Sequence, residues 1–307
     1  MRTAYLTHDS YRKHEMGVQH PESPERLYAI NDQLIASGIL DHLIHYEAQA
    51  ATKEQLARVH NADYLDWIFS HAADGGLILL DGDTSMNQFS LNAALHAAGA
   101  VVEAVDLVMS GEVENAFCAV RPPGHHAGRD GASGFCIFNN IAVGAAHALA
   151  QYGLKRVAIL DFDVHHGDGT EDIFHDDPRV MLCSSFRHPF YPYKGAASSN
   201  DHIINVPLAA GTNGETFRNA ITENWLPALE RFKPEFIFVS AGFDAHIDDD
   251  MGGLALKEAD YLWITEIIKQ LSAKYAKNRI VSSLEGGYEL HALGRSVMTH
   301  IKSLSCL

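Results

Sequence analysis

Short runs dense in β-branched and aromatic residues alternate with longer helical patterns along this chain, and most of the short runs are apolar throughout. "TAYLTH", "AFCAV", "RVAILDF", "RVMLCSSF", "IINVPL", "FIFVSAGF" and "IVSSLEGGY" read as strands. "SLNAALHAAGAVVEAVDLVMSG", "NIAVGAAHALAQYG", "ETFRNAITENWLPALERF" and "EADYLWITEIIKQLSAKYA" read as helices between them. Strands without polar alternation belong in a sheet covered on both faces, that is, a parallel sheet flanked by helices. No repeat, low-complexity tract or Pro/Ser-rich linker interrupts the 307 residues, so residues 1–307 are expected to form a single α/β domain.

Acidic residues outnumber basic ones, 39 to 23, for a formal charge of −16. That balance argues against a nucleic-acid partner, whose phosphates require Lys and Arg. It suits cationic substrates, or simply keeps the protein in solution. Cys118, Cys136, Cys183 and Cys306 show no CxxC pair, which fits a reducing compartment. The opening "MRTAYLTHDSYRKHE" lacks the apolar core of a signal peptide, and no run is read as long enough to span a bilayer. The expectation is a cytoplasmic protein without a membrane partner.

Polar clusters follow the apolar runs directly: "AFCAV" leads into "RPPGHHAG", "VAIL" into "DFDVHHGDG", "FIFVSAG" into "FDAHIDDD" and "IVSSL" into "EGGYEL". In an open parallel sheet the carboxyl ends of the strands share one edge, where ligands bind. Buried carboxylates in such density require a positive partner, and a metal ion is the natural one. On an extended strand end, Asp163 and His165 point to the same side, as does Asp161, while Val164 and His166 point away. Asp244 is the best-placed third ligand. Two carboxylates and an imidazole leave tetrahedral Zn²⁺ an open position for water. Fe²⁺, Co²⁺ or Mn²⁺ also suit this ligand set, and the bland reading is a structural Asp163–His165 ion pair.

His125 and His126 sit in a stiff Pro-Pro-Gly turn, and adjacent buried imidazoles should have separated pKa values. Each needs an orienting carboxylate, for which Asp161 and Asp168 are available. "EGGYEL" gives the backbone freedom to swing Tyr288 inward, where a phenol can stabilise an oxyanion; the bland reading is a turn with a packed Tyr. Cys136 is read as buried filler rather than a redox centre. "HIDDDMGG" is read as a flexible rim loop with solvated charges, and the apolar spacing of Trp263, Ile264, Ile267 and Ile268 as core packing.

"RPPGHHA", "GFCIFNN", "DFDVHHGDGT", "SAGFDAH" and "LEGGY", in that order and preceded by "HPESPERL", resemble the histone deacetylase superfamily, most closely its class II branch and bacterial deacetylase-like amidohydrolases. The resemblance implies an arginase/deacetylase-like fold with a central parallel sheet of about eight strands. It also implies Zn²⁺ on Asp163, His165 and Asp244. His126 would be general base and then acid, His125 its electrostatic partner; Asp161 would back His125, Asp168 would back His126, and Tyr288 would hold the polarised carbonyl. A structural K⁺ would lie on Asp161, Asp163, His165, Ser184 and Ser185.

By the same resemblance, Phe135 and Tyr191 would wall a substrate tunnel together with Gly134, Met251 and His20. Tyr191 stands where relatives carry phenylalanine. Met251 stands where polyamine-selective relatives carry a glutamate, which favours acyl-lysine. The implied function is zinc-dependent removal of acyl, chiefly acetyl, groups from lysine ε-amines in proteins or peptides. The alternatives are an acetylpolyamine amidohydrolase, a di-manganese ureohydrolase of related fold using Asp161 or Asp168 for a second metal, and a non-catalytic acyl-lysine binder. Relatives often form homo-oligomers, which no motif here addresses.

Overall fold

The computed structural model describes residues 1–72 and 75–307. Its strands are β1 (Thr3–Thr7), β2 (Ile44–Glu47), β3 (Ile78–Leu79), β4 (Ser85–Met86), β5 (Asn115–Cys118), β6 (Val157–Asp161), β7 (Val180–Arg187), β8 (Ile203–Leu208), β9 (Phe236–Ala241) and β10 (Ile280–Leu284). The helices are α1 (Glu25–Ala36), α2 (Lys53–Leu56), α3 (Ala62–His71), α4 (Ser90–Ser110), α5 (Asn140–Tyr152), α6 (Asp168–Phe174), α7 (Gly214–Phe232), α8 (Glu258–Tyr275) and α9 (Leu290–Leu304). Eight strands form one sheet in the order β2-β1-β5-β10-β9-β6-β7-β8, and every pairing in it is parallel. β3 and β4 make a separate antiparallel hairpin.

Every residue of β5, β6, β9 and β10 is buried, which is why these strands read as unbroken apolar runs. β2 and the β3–β4 hairpin escaped the sequence reading for the opposite reason. β2 is a short edge strand, "IHYE", with no buried residue, so it carries neither an apolar run nor an alternating pattern. One expectation is corrected outright. α4 is long and apolar enough to cross a bilayer, yet most of that surface is buried, because it packs on β1, β5, β10 and α5 as a core helix.

The parallel order brings the ends of β5, β6, β9 and β10 side by side. Asp161, the last residue of β6, pairs with Ser184 on one side and Ser240 on the other. Every polar cluster noted above therefore departs from the same sheet edge.

Behind that edge, His300 of α9 is fully buried, with one ring nitrogen on Thr265 Oγ1 of α8 (2.7 Å) and the other on Ser282 Oγ of β10 (2.9 Å). Burial pushes its pKa down to about 3; burial likewise pushes His14 down to about 3 and His60 to about 4. Folded pKa values below the unfolded value of about 6.5 mean that stability is full above pH 6.5 and is lost as pH falls towards the folded values. Each such histidine steepens the loss by about 1.4 kcal/mol per pH unit. Denaturant unfolding between pH 6.5 and 4.5 is expected to show this slope, and His300→Gln to reduce it by about one proton. An unchanged slope in that variant would mean that His300 is already charged in the fold.

Candidate active site

β6 ends at Asp161, and the chain beyond it does not continue as the extended strand expected. A relay of short turns replaces it. The Asp163 amide donates to Asp161 Oδ1 (3.1 Å) and the His165 amide to Asp163 Oδ1 (2.9 Å). The Val164 amide donates across to Asp244 Oδ1 (2.9 Å). Asx-type bonds of this kind give the backbone an alternative to the ladder. Asp163 and His165 still meet, joined by Asp244 from the loop after β9.

Asp163, His165 and Asp244 are buried and each offers a ligand atom, all within 4.8 Å of one another. His165 Nδ1 lies 3.1 Å from Asp163 Oδ1 and 3.2 Å from Asp244 Oδ2. Donors about 2.0–2.1 Å from a tetrahedral ion stand roughly 3.3 Å apart, so these spacings suit such an ion. Beyond that contact with His165 Nδ1, Asp244 Oδ2 is buried with no well-formed hydrogen bond. Burial and the neighbouring Asp163 push its carboxyl up to about 7. His165 Nδ1 approaches that oxygen, and Asp163 and Asp244 together outweigh burial to raise the imidazole pKa to about 10, so either the imidazolium or a bound cation can answer the oxygen. Two glycines make the crowding sterically possible. A Cβ on Gly242 would stand 2.0 Å from Asp163 Oδ2, and one on Gly286 2.1 Å from Asp244 Oδ2.

His125 and His126 face this group from the loop after β5, ring centroids 4.1 Å apart. His125 Nδ1 pairs with Asp161 Oδ2 (2.9 Å) and His126 Nδ1 with Asp168 Oδ1 (2.8 Å). The environments then diverge. Burial opposes charge on His125, but Asp161 and Asp163 outweigh it and hold its pKa well above the ordinary value. Burial, reinforced by that neighbouring charge, pushes His126 down to about 4 despite Asp168. The two imidazoles are thus pushed in opposite directions.

A cavity of about 300 Å³ opens above them, with Phe135, Phe190, Tyr191, Met251 and Tyr288 in its wall. Phe190 stacks on His165 at 5.3 Å, and Tyr191 sits edge-on to His126 at 5.2 Å with its hydroxyl 2.8 Å from Ser133 Oγ. Phe135 adopts φ +70°, a strained conformation for a residue with a side chain, and its amide donates to Thr84 Oγ1 (2.9 Å). Gly134 also lines the cavity, and a Cβ there would strike the His126 ring at 2.3 Å. Among the described residues His20 is not in this wall. It stands behind Phe135, ring centroids 4.6 Å apart, in a neighbouring groove of about 660 Å³ that also reaches Tyr288.

Ser184 and Ser185 lie at the β7 side of the same edge. The Ser184 hydroxyl is engaged by His166 Nδ1 (3.0 Å), while Ser185 Oγ is buried without a partner. Cys136 is buried with its thiol pushed well up by burial, as expected of filler. The reading of "HIDDDMGG" as solvated is corrected. Asp249 is buried and its Oδ2 accepts from the Tyr288 (2.6 Å) and Glu289 (3.0 Å) amides, so it fixes the loop that carries the phenol.

Several site residues went unnoticed in the sequence. Glu285, in the quoted "LEGGY", is buried; it accepts from the Gly124 (2.7 Å) and His125 (3.1 Å) amides and from Ser240 Oγ (3.1 Å). Its signal was a carboxylate placed directly after an apolar strand. Glu22 and Arg26, in "HPESPERL", are buried with Arg121. Glu22 receives Arg121 NH2 (2.7 Å) and Arg26 NH1 (3.1 Å), and Arg26 Nε reaches Gly287 O (2.7 Å). Those residues brace the loops that bear His125 and Tyr288 and do not line the 300 Å³ cavity. Asp83 and Asp250 add carboxylates to the cavity wall, and Lys194 meets Asp168 from behind. Their signal is absent locally, because only the fold brings them to the site.

A family model described as the histone deacetylase domain matches residues 20–304. The chain belongs to the histone deacetylase family. A probable deacetylase of Archaeoglobus fulgidus is 38% identical, with 94% of this chain and 82% of that protein covered. A histone deacetylase-like amidohydrolase of Pseudomonas aeruginosa is 37% identical (88% and 72% covered), and the human polyamine deacetylase HDAC10 is 34% identical (99% and 48%). The crystal structure of the HDA15 HD domain superposes with a TM-score of 0.94 at 35% identity, covering 99% of this chain and 90% of that one. The deacetylase fold expected from the motifs is the fold observed, and the family is one of deacetylases and amidohydrolases.

In this deacetylase-family site, the raised Asp244 pKa has a measurable sign. A folded pKa above the unfolded value means that its contribution is full when the carboxyl is protonated and is lost as pH rises through about 7. Asp244→Asn is therefore expected to stabilise the metal-free protein at pH 8, by on the order of 2–4 kcal/mol, in denaturant unfolding. A metal-free variant no more stable than the parent would contradict the crowding described.

Proposed function

We propose that this deacetylase-family chain is a zinc-dependent amidohydrolase that removes acyl, chiefly acetyl, groups from the ε-amine of lysine in proteins or peptides. The observation that carries the reading is a pair of adjacent imidazoles, each hydrogen-bonded to its own buried carboxylate, facing the Asp163–His165–Asp244 group at the foot of an aromatic-walled cavity. Asp163, His165 and Asp244 would hold the ion, whose Lewis acidity lowers the pKa of water and polarises a carbonyl.

The remaining roles belong to side chains. His126, neutral at working pH, can take a proton from the attacking water and return it to the leaving amine. His125, kept charged by Asp161 and Asp163, offsets negative charge as it develops. The Tyr288 phenol, pushed well above its ordinary pKa by burial, stays protonated and can donate to the oxyanion. Tyr191, Phe135 and Phe190 exclude water from a linear alkyl chain. A monovalent cation on Asp161, Asp163, His165, Ser184 and Ser185 is part of the same reading, with Ser184 paired beside Asp161 across β6 and β7.

A second reading, hydrolysis of acetylated polyamines, is favoured by Asp83 and Asp250 in the cavity wall. Met251 supplies no carboxylate there, but its neighbour does. Assay of the zinc-loaded protein on acetyl-lysine peptides and N-acetylputrescine separates the two. The expected result is a higher kcat/KM on the peptides; preference for the polyamine installs the second reading, and inactivity on both removes the hydrolase. Tyr288→Phe is expected to lower kcat by about 10²–10³-fold with metal content unchanged. Equal turnover in that variant would exclude the phenol.

A further inference from the structure

The turn that carries Tyr191 into the cavity wall also carries a lysine to the far side of the acid–base pair. Lys194 Nζ donates to Asp168 Oδ2 at 2.8 Å, while Asp168 Oδ1 holds His126 Nδ1, also at 2.8 Å. Asp168 is 9% exposed and stands between two spaces. His126 faces the 300 Å³ cavity, whereas Asp168 and Lys194 face a separate outer cleft of about 350 Å³. Among the described residues no other donor reaches Asp168 Oδ2. A carboxylate held at one oxygen alone can rotate about its terminal torsion, which is broad and roughly two-fold; held at both, it has one orientation.

The turn itself is fixed without the lysine. Gly195, at φ +87°, lies so close to His166 that a Cβ would stand 2.6 Å from the ring. Its carbonyl accepts from Asn205 Nδ2 (2.8 Å), which also donates to Glu171 Oε2 (2.7 Å), the oxygen that binds His166 Nε2 at 2.7 Å. The lysine side chain is 69% exposed, so it contributes little to holding the chain together. Its one buried engagement is the carboxylate that orients His126.

We propose that Lys194 is a positioning residue for His126: by occupying Asp168 Oδ2 it locks the carboxylate in the orientation that fixes the imidazole, and it ties that pair to the turn bearing the Tyr191 wall. The inference rests on His126 as the acid–base group. A lost second contact of this kind loosens the imidazole rather than substrate binding, so its cost falls on turnover.

The test compares Lys194→Met and Lys194→Arg in the zinc-loaded protein. Lys194→Met is expected to lower kcat about tenfold while KM stays within about twofold, and Lys194→Arg to restore kcat, with melting temperature and metal content unchanged in both. A second readout needs no substrate. In protein labelled with ¹⁵N-histidine, the His126 Nδ1–H resonance, identified by its loss in His126→Ala, should broaden through solvent exchange in Lys194→Met and persist in Lys194→Arg. Unchanged kcat in the methionine variant, a loss confined to KM, or an arginine variant as impaired as the methionine one would overturn the inference. If the parent hydrolyses no acylated amine, the functional reading fails by itself, and a sharp His126 resonance in Lys194→Met then overturns this inference separately.

Discussion

Carboxylates crowd one buried edge of this protein more closely than they can tolerate unaided. Asp161, Asp163, Asp244 and Glu285 are all buried at or just beyond the ends of β6, β9 and β10. Nearly every oxygen is answered locally. Backbone amides of Asp163, Val164, His165, Gly124, His125 and Gly286 donate into the group, and the His125 ring pairs with Asp161. What remains is Asp244 Oδ2, approached only by His165 Nδ1 among the ionic contacts described, in a group that could hold a cation. The stability of the edge and its chemistry are therefore one question, not two.

That crowding explains the bracing around it. The loops bearing His125 and Tyr288 are not left to their own turns. Arg121 precedes the histidines and Arg26 holds the carbonyls of Glu285 and Gly287; Glu22 joins both guanidinium groups. A buried pair stripped of one partner leaves an uncompensated charge, so the cluster acts as a single unit. Its position links the amino-terminal loop to two strand ends far away in sequence.

The legible part of the fold was the part whose signal is local. Buried parallel strands write themselves as apolar runs, and carboxylates or imidazoles directly behind such runs stand out against them, as with Asp161 to Asp168 and with Asp244. Glu285 had the same signature but only its neighbour Tyr288 was read. The edge strand β2 and the hairpin bearing Asp83 have no such run. Lys194 and Asp83 acquire meaning only when distant segments meet, and no periodicity announces that. The "HIDDDMGG" loop misled because consecutive acids usually remain in water, whereas here the middle one is turned inward to hold backbone amides.

That loop separates two duties between neighbours. Asp249 is committed to the interior, while Asp250 and Met251, immediately beside it, face the cavity and are free of backbone obligations on the tyrosine loop. Exchanging those two adjoining side chains would reshape the cavity mouth while leaving the anchorage of the Tyr288 loop intact. Lining and anchorage thus fall to consecutive residues of one loop, and a change in the first need not disturb the second.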